Sequence, residues 1–437
     1  MTITEGRWDL SPLYAGKDDP ALQEDFKKLE EAINEADQIF TTKETSLDQV
    51  EQALQFVEKF RVQVRKLSAF YSLTVNANTK ENWATAQLNK LQSLLACLDP
   101  WDVEFKNRLA KLDLEEVKAD GRFDDYLFAI GELIEQADHS LDGPSEELIS
   151  QLDIYGGGSW ENLFDVLTSS ATADLNGDEK SLTELRNLAY DPDQEVRHQA
   201  YEAELSLYPQ IELPLAYALT SLKGQVNFLT SKRGFTALID ETLYTRRTRR
   251  ETLDALISAM KEKKDVFVDY FKAKGKYYGQ DQLHWADLFA PMGKLPSSCS
   301  VEESKEILVD SFAELHQPIA DLIQKAYDDN WIDFFPRDGK FGGAFCSNLP
   351  FLGQSRVLTN FDGSFSAVDT LAHELGHAYH GARIQDHKAL NQRYTMPVAE
   401  TASTFNETHF LLEALEKAED PEVKIGLLDS FLMNTTQ

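Results

Sequence analysis

The chain has 437 residues, of which 42% are hydrophobic and 11% aromatic, so it can bury a sizeable core and exceeds the size of an ordinary single domain. Its 74 acidic residues against 43 basic ones give a formal net charge of −31, and such a surface repels phosphate backbones and anionic lipids. We therefore expect neither nucleic acid nor a membrane as a partner.

The N-terminal sequence and the cysteines bear on the compartment. The start MTITEGRWDL lacks the charged and apolar regions of a signal peptide, and no apolar run reaches the roughly 18 residues of a membrane span. Cys97, Cys299 and Cys346 are far apart and odd in number, which indicates neither a disulfide framework nor a cysteine zinc site. These features predict a cytoplasmic protein.

Helical periodicity dominates the first three quarters of the chain. Apolar residues recur at spacings of three and four from about residue 19 to 118, from 123 to 168 and from 181 to 327, which predicts long amphipathic helices. Three glycines at 156–158 predict a turn leading to Ser159 as a helix N-cap, and Asn176-Gly177 predicts a small hairpin. We expect three parts: an N-terminal helical domain (1–118), a helical segment with a hairpin (119–180) and a third domain (181–437).

The composition changes between about residues 331 and 366, where glycine, proline, phenylalanine and serine are frequent. The runs Gly343 to Ser347 and Ser355 to Phe361 predict strands. Helices return at Ser366, which together with Asp369 resembles a capping pattern. The predicted fold class is therefore mainly α, a multi-helix body with a small β-sheet just before the sequence LAHELGHAYH.

This sequence contains two histidines four residues apart, with a glutamate directly after the first. On a helix, His373 and His377 would lie one turn apart with Cβ atoms about 5–6 Å from each other, so both rings can reach one Zn²⁺. Glu374 is rotated by about 100° around the helix, which favours a role as base over a role as ligand. The alternative is a structural pair of histidines that matches this pattern by chance.

A catalytic zinc usually takes three protein ligands and leaves one position for water. The signature with a third histidine requires glycine at 380 and histidine at 383, whereas this chain has His380 and Arg383, which excludes that class. His380 itself would point away from a metal held by the first two histidines. Asp386 and His387 lie in a polar loop and are weaker candidates.

Glu400 is the strongest candidate for the third ligand. It falls in the first turn of a helix that Pro397 can begin, among small residues that allow close helix packing. Glu407, seven residues on, would share its face and could accept a hydrogen bond from the distal nitrogen of a ligating histidine, unless it is simply an exposed glutamate. We expect one Zn²⁺ per chain, although such donors also accept Co²⁺ or Mn²⁺.

Two histidines and one carboxylate with an open position imply hydrolysis, because zinc lowers the pKa of its water and polarises a carbonyl. Glu374 would take the water's proton and pass it to the leaving amine. A peptide bond is the natural substrate for this chemistry.

The sequence HELGH followed by AETASTFNE resembles the thimet oligopeptidase family, specifically its bacterial oligoendopeptidase F branch. The segments WDLSPLY, DPDQEVRHQAYEAE, ADLFAPM and FPRDGKFGGAFCSNLP extend the resemblance over almost the whole chain. It implies a helical body around a deep substrate cleft, with zinc at its floor, and cleavage of internal bonds in short unfolded oligopeptides. It also implies His373, His377 and Glu400 as ligands and Glu374 as base, so 181–437 would be a zinc peptidase domain.

The resemblance further implies that Gly343, Ala344 and Phe345 lie at a strand edge that binds an extended peptide. Family members continue past the third ligand into a segment whose His and Tyr residues bind substrate and stabilise the oxyanion, whereas this chain stops at LLDSFLMNTTQ. Because loss of one oxyanion donor costs about 10²–10³ in kcat, we expect this chain alone to bind zinc and cleave peptides poorly. Two alternatives stay open: a zinc carboxypeptidase, and a helical scaffold that binds peptides without cutting them.

Overall fold

A computed structural model describes residues 6–40 and 46–436 of the chain. In these residues the fold is mainly helical with two small sheets, which confirms the predicted fold class. The helices, in chain order, are α1 (Pro20–Phe40), α2 (Leu47–Ala77), α3 (Asn82–Ala96), α4 (Asp99–Leu109), α5 (Leu114–Ala119), α6 (Leu127–Ala137), α7 (Gly143–Tyr155), α8 (Gly157–Ser170), α9 (Leu182–Asn187), α10 (Gln194–Lys232), α11 (Leu238–Thr245), α12 (Arg250–Tyr277), α13 (Val301–Leu315), α14 (Gln317–Asp328), α15 (Phe365–Ile384), α16 (Met396–Lys417) and α17 (Pro421–Thr436). None of the described helices combines the length and apolar character that a bilayer span requires.

The described residues form two compact units. The first unit comprises the described residues within Met1–Gln151 and Ser297–Phe410. The second comprises those within Leu152–Pro296 and Leu411–Gln437. These units do not test the predicted division into 1–118, 119–180 and 181–437, which stays a prediction.

The N-terminal helices of the first unit enclose two apolar clusters. In one, Leu29 of α1 and Leu67 of α2 pack with Leu358 from the sheet of this unit, and all three are fully buried. In the other, Leu54 of α2 packs with Ile130 of α6. The predicted amphipathic helices thus pack into a core that also supports the sheet.

The sheet of the first unit contains β3 (Ile332–Asp333), β4 (Phe345–Leu349) and β5 (Gln354–Leu358) in the order β3-β5-β4. β4 runs antiparallel to β5, and β3 runs parallel to it. The prediction that the first strand begins at Gly343 is wrong, because Gly343 has a φ of 85°, outside extended backbone, and β4 begins at Phe345. β3 was not predicted, because a strand of two residues is too short to show an alternation of apolar and polar residues.

In the second unit, β1 (Thr172–Leu175) and β2 (Asp178–Ser181) form the predicted hairpin. Asn176 and Gly177 both have positive φ, 58° and 91°, as a two-residue type I′ turn requires. The prediction of Ser159 as an N-cap is wrong: α8 begins at Gly157 with Gly156 as its N-cap, so Ser159 lies inside the helix. The glycines permit an earlier helix start than the polar side chain suggested.

A buried ion pair also lies in the second unit. Arg197 of α10 donates to Asp287, with Nη2 2.7 Å from Oδ1, and both side chains are fully buried. Asp287 ends a 3₁₀ turn (Trp285–Asp287), so this pair fixes that turn against α10.

Candidate active site

Helix α15 carries His373, Glu374 and His377, and its N-cap lies two residues before the predicted one. The cap is Ser364, whose Oγ accepts a hydrogen bond from Ala367 N at 3.2 Å, so the prediction of a cap at Ser366 and Asp369 is wrong. Its apolar face is buried through Val368, Leu371 and Leu375, as the periodicity predicted. The two histidines therefore project from a helix whose rotation is fixed by its core contacts.

Helix α16 lies directly against α15. A Cβ atom added to Gly376 would stand 2.7 Å from the carbonyl oxygen of Ala402 and 2.9 Å from Cα of Ser403, so only glycine allows this approach. Asn406 Nδ2 also donates to the carbonyl oxygen of Ala372 at 3.4 Å. This backbone contact brings Glu400 of α16 to the histidines of α15.

The three predicted ligands come together. Oε2 of Glu400 lies 3.4 Å from Nε2 of His373 and 3.5 Å from Nε2 of His377. Donor atoms held tetrahedrally by zinc at 2.0–2.2 Å are separated by about 3.4 Å, so the spacing and the nitrogen-oxygen chemistry both fit a zinc ion. Ser403 Oγ donates to the same Glu400 oxygen at 2.8 Å and holds the carboxylate in place.

Glu374 lies beside this donor set without belonging to it. Its side chain is buried, and its Oε2 has no hydrogen-bond partner among the described residues. Burial raises the pKa of Glu374 to about 7, with the Glu400 carboxylate adding to the effect and His373 opposing it. A carboxyl group that titrates near neutrality can both accept and return a proton.

Glu407 contacts the ligand candidate His373 from the other side. Nδ1 of His373 lies 3.0 Å from Oε2 of Glu407, which leaves Nε2 directed toward Glu400. Burial lowers the pKa of His373, but the bond to Glu407 and the carboxylates of Glu374 and Glu400 outweigh it, so the pKa is raised. At His377, burial dominates and lowers the pKa, although Glu400 opposes it.

Asp369 is a neighbour of the site that sequence reasoning assigned only to a helix cap. It lies one turn before His373 on α15, and its Oδ1 is buried without a hydrogen-bond partner in the described chain. Burial, followed by the charge of Glu407, raises the pKa of Asp369 to about 8. The spacing of four residues could have indicated that Asp369 and His373 are neighbours on the helix. Spacing alone does not indicate that the Asp369 carboxyl is buried.

The weaker ligand candidates stand apart from the donor set. The ring of His380 packs against Tyr394 with centroids 4.3 Å apart, and His380 does not belong to the group formed by His373, His377 and Glu400. Asp386 and His387 are exposed in the loop after α15. Neither belongs to the group formed by His373, His377 and Glu400.

A second group of ligand-type residues, His198, His284 and Asp287, lies in the second unit. There Arg197 donates twice to one Asp287 oxygen, and His198 and two glutamines contact the other. Because both carboxylate oxygens are engaged, we assign no metal to this group.

Two family models match the chain: peptidase family M3 over residues 300–435 and oligopeptidase F over residues 107–172. The first match contains α15 and the ligand-bearing part of α16. The second covers part of the N-terminal helices, so the likeness is not confined to one short motif.

Curated relatives agree with these matches. An oligoendopeptidase F homolog of Borreliella burgdorferi is 24% identical over 440 residues, which cover 96% of this chain and 72% of that protein. Group B oligopeptidase PepB of Streptococcus agalactiae is 25% identical over 303 residues, 67% of this chain and 50% of its own length.

Solved structures share the fold. Oligoendopeptidase-F from Enterococcus faecium superposes with a TM-score of 0.67 at 18% identity, over 95% of this chain and 71% of that one. A Chlamydophila abortus protein described as a peptidase reaches a TM-score of 0.73 at 20% identity, over 99% of this chain and 74% of that one. The family models, the curated relatives and the solved structures agree that the chain is similar to peptidase family M3 and to the oligoendopeptidase F proteins.

Proposed function

We propose that this protein is a zinc-dependent endopeptidase that hydrolyses internal bonds of short, unfolded oligopeptides. The observation that carries the proposal is the convergence of His373, His377 and Glu400 beside the buried, unbonded carboxyl of Glu374. Relatives named oligoendopeptidase F and PepB support the substrate class.

Each residue of the proposed site has a separate role. His373, His377 and Glu400 would hold one Zn²⁺, which when bound polarises a carbonyl and lowers the pKa of water. Glu374 accepts the proton of the attacking water and returns it to the leaving amine, and its raised pKa suits both transfers. Glu407 acts as a positioning residue, because its contact with Nδ1 fixes the ring orientation of His373.

The edge of β4 supports extended peptide binding. Among the strands of the described residues, β4 pairs only with β5, on one of its sides. Arg65 Nη2 donates to the carbonyl oxygen of Asn348 at 3.2 Å, so the backbone groups of Asn348 point away from β5. In an antiparallel strand, every second residue directs its backbone N–H and C=O groups to the same side. The backbone groups of Cys346, and of Ala344 just before the strand, therefore also point away from β5. A peptide would add there through main-chain hydrogen bonds, next to Gly343 and Phe345.

We expect Ala344→Pro to raise KM sharply with little change in kcat, because proline removes the N–H group that would face the peptide. Steady-state kinetics on an internally quenched peptide measure both constants. Ala344→Ser, which keeps the N–H group, is the matched control. Unchanged kinetics in the proline variant would count against strand addition at this edge.

The function itself is tested by metal content and cleavage together. We expect one zinc per chain, and loss of that zinc in Glu400→Ala. Glu374→Gln should keep the zinc while cleavage of an internally quenched peptide blocked at both ends falls by about 10²–10⁴, the usual contribution of a general base. Glu416→Gln, on the exposed end of α16, should change neither property.

Other outcomes separate the alternatives. Release of terminal residues alone, with no internal cleavage, would indicate a carboxypeptidase. One bound zinc and peptide binding without any turnover would indicate a non-cleaving scaffold. Full turnover by Glu374→Gln would remove Glu374 from the proposed role.

A further inference from the structure

A pocket of about 1020 Å³ lies in the first unit, away from the proposed zinc ligands. It is bordered by α2, α4 and the loop that follows α15, and neither the two ligand histidines nor Glu400 lines it. This volume is typical of sites that hold small molecules or short peptide segments.

Three arginines line this pocket. Arg61 and Arg65 are one helical turn apart on α2, and Arg393 comes from the loop. Arg65 is engaged, since it donates to Gln392 Oε1 at 3.3 Å and to the carbonyl oxygen of Asn348 at 3.2 Å. Within residues 6–40 and 46–436, the guanidinium groups of Arg61 and Arg393 have neither a hydrogen bond nor an ion pair.

The positive charges of Arg61 and Arg393 repel each other. Burial lowers the pKa of Arg61, and the nearby charge of Arg393 lowers it further, although Asp102 and Glu58 act in the other direction. Burial likewise lowers the pKa of Arg65, and Arg393 again contributes. Arg61 is partly buried and Arg393 is exposed, and the repulsion between their like charges in this pocket would be relieved by an anion.

Two acidic residues of the pocket, Glu58 and Asp102, have other partners, and burial raises the pKa of the third, Asp99, whose Oδ2 has no hydrogen-bond partner in the described chain. Glu58 accepts hydrogen bonds from the backbone N–H groups of Ala389 and Leu390, both at 2.7 Å. Asp102 forms an ion pair with Lys106. In a chain with a formal net charge of −31, two pocket arginines that form no ion pair within the described residues are suited to bind an external anion.

The walls define the kind of anion. Leu98, Trp101 and Phe351 contribute apolar surface to the same pocket. A monoanionic carboxylate suits two guanidinium groups flanked by carboxylates better than a doubly charged phosphate does, and it accepts bidentate hydrogen bonds from arginine. A ligand with one carboxylate next to apolar side chains matches both features.

We propose that this pocket binds the C-terminal carboxylate of a peptide through Arg61 and Arg393, with the preceding apolar side chains against its walls. The anion chemistry stands on the pocket alone, whereas the choice of a peptide rests on the proposed function. The site would hold peptides independently of the zinc ligands.

The test measures binding to the full chain carrying Glu374→Gln, which protects the peptide from cleavage. The probe is a fluorescein-labelled apolar pentapeptide with a free C-terminal carboxylate, compared by anisotropy with its C-terminal amide. We expect the amide to bind about tenfold more weakly or worse, and Arg61→Gln or Arg393→Gln to weaken the free acid similarly, because each removes a charge-assisted bond. Arg383→Gln, an exposed arginine outside the pocket, should have no effect.

Two results would overturn the proposal: equal affinity for acid and amide, or competition by inorganic phosphate as effective as that by the unlabelled peptide. Neither result bears on zinc content or on cleavage by the parent chain, so failure here is separate from failure of the proposed function.

Thermal stability distinguishes a binding role from a structural one. Arg61→Gln should leave Tm unchanged or raise it without peptide, because it removes a partly buried charge that faces Arg393. Arg65→Gln should lower Tm, because it removes two hydrogen bonds. A lower Tm in Arg61→Gln with unchanged peptide affinity would assign Arg61 a structural role and contradict the proposal.

Discussion

His373 has contacts at both ring nitrogens, with Glu407 at Nδ1 and Glu400 facing Nε2. A ring held in this way presents one nitrogen to a metal without a search among rotamers or tautomers. His377 lacks a comparable carboxylate at its second nitrogen in the described chain, so the two histidines are not equivalent.

We therefore expect Glu407→Gln to weaken zinc binding by about 10–100-fold, because a neutral amide orients the ring and supports its basicity less well. Competition against a chromophoric zinc chelator measures the affinity. Glu416→Gln on the same helix is the control. Equal affinities of Glu407→Gln and the parent would show that the contact does not orient a ligand.

The sequence was informative about these residues to different degrees. Helical geometry alone predicts that His373 and His377 lie one turn apart with Glu374 beside them, whereas Pro397 indicated the second helix and the small residues around Glu400 indicated its close packing. The pairing of Arg61 with Arg393 could not be predicted, because it depends on how a distant loop folds back onto α2. Local periodicity carries no information about such contacts.

At the scale of elements, the approach of α15 and α16 depends on Gly376. A methyl group there would overlap backbone atoms of Ala402 and Ser403, which cannot move aside as a flexible side chain would. The distance between the two helices, and with it the position of Glu400, is therefore fixed by a residue that contacts no metal.

Gly376→Ala should destabilise the protein by about 1–3 kcal/mol and weaken zinc binding, because the added methyl group separates the two helices. Urea unfolding and the chelator competition measure the two effects. Gly131→Ala in α6 is the matched control, since a Cβ there meets nothing within 4 Å. A Gly376→Ala variant as stable as the parent would mean that the helices adjust without cost.

In the second unit, the buried Arg197–Asp287 ion pair holds the 3₁₀ turn (Trp285–Asp287) against α10. Burial raises the pKa of Asp287, but hydrogen bonds from His198, Gln280 and Arg197 outweigh it and hold the pKa far below its usual range. A carboxyl with a depressed pKa stabilises the fold above its unfolded pKa of about 3.9, and this contribution is lost as pH falls toward the folded pKa.

Asp287→Asn should therefore lower the free energy of unfolding by about 3–5 kcal/mol at pH 7, because it leaves Arg197 buried without a countercharge. The difference from the parent should shrink as pH falls below about 4. Denaturant titrations at several pH values measure it, with exposed Asp281→Asn as the control. A difference that does not vary with pH would contradict the charge-based account.

Element boundaries show where prediction from sequence stops. Helix existence followed from apolar periodicity, whereas the caps at Ser364 and Gly156 and the start of β4 depend on backbone angles at glycines and polar residues. Several serines and glycines stand near each boundary, and only tertiary packing selects among them.

At the scale of the whole molecule, the acidic excess dominates. A formal net charge of −31 disfavours the compact state by self-repulsion. Many of the ion pairs are exposed to solvent and contribute little against it.

We expect Tm to rise as NaCl is increased from low ionic strength to about 0.15 M, where the Debye length falls to about 8 Å and screens this repulsion. Differential scanning calorimetry measures the shift. Choline chloride should give the same increase, which excludes specific sodium binding. A Tm that falls with salt would mean that attractive pairs outweigh the net repulsion.

His373, Glu374 and His377 share one turn of α15, whose apolar side is locked into the core, so they can only move as a rigid set. Glu400 alone stands on a separate backbone. If this fold were adapted to another metal or another nucleophile, we would therefore expect the substitutions in α16, at Glu400 or at the small residues around it. The residues of α15 would stay unchanged.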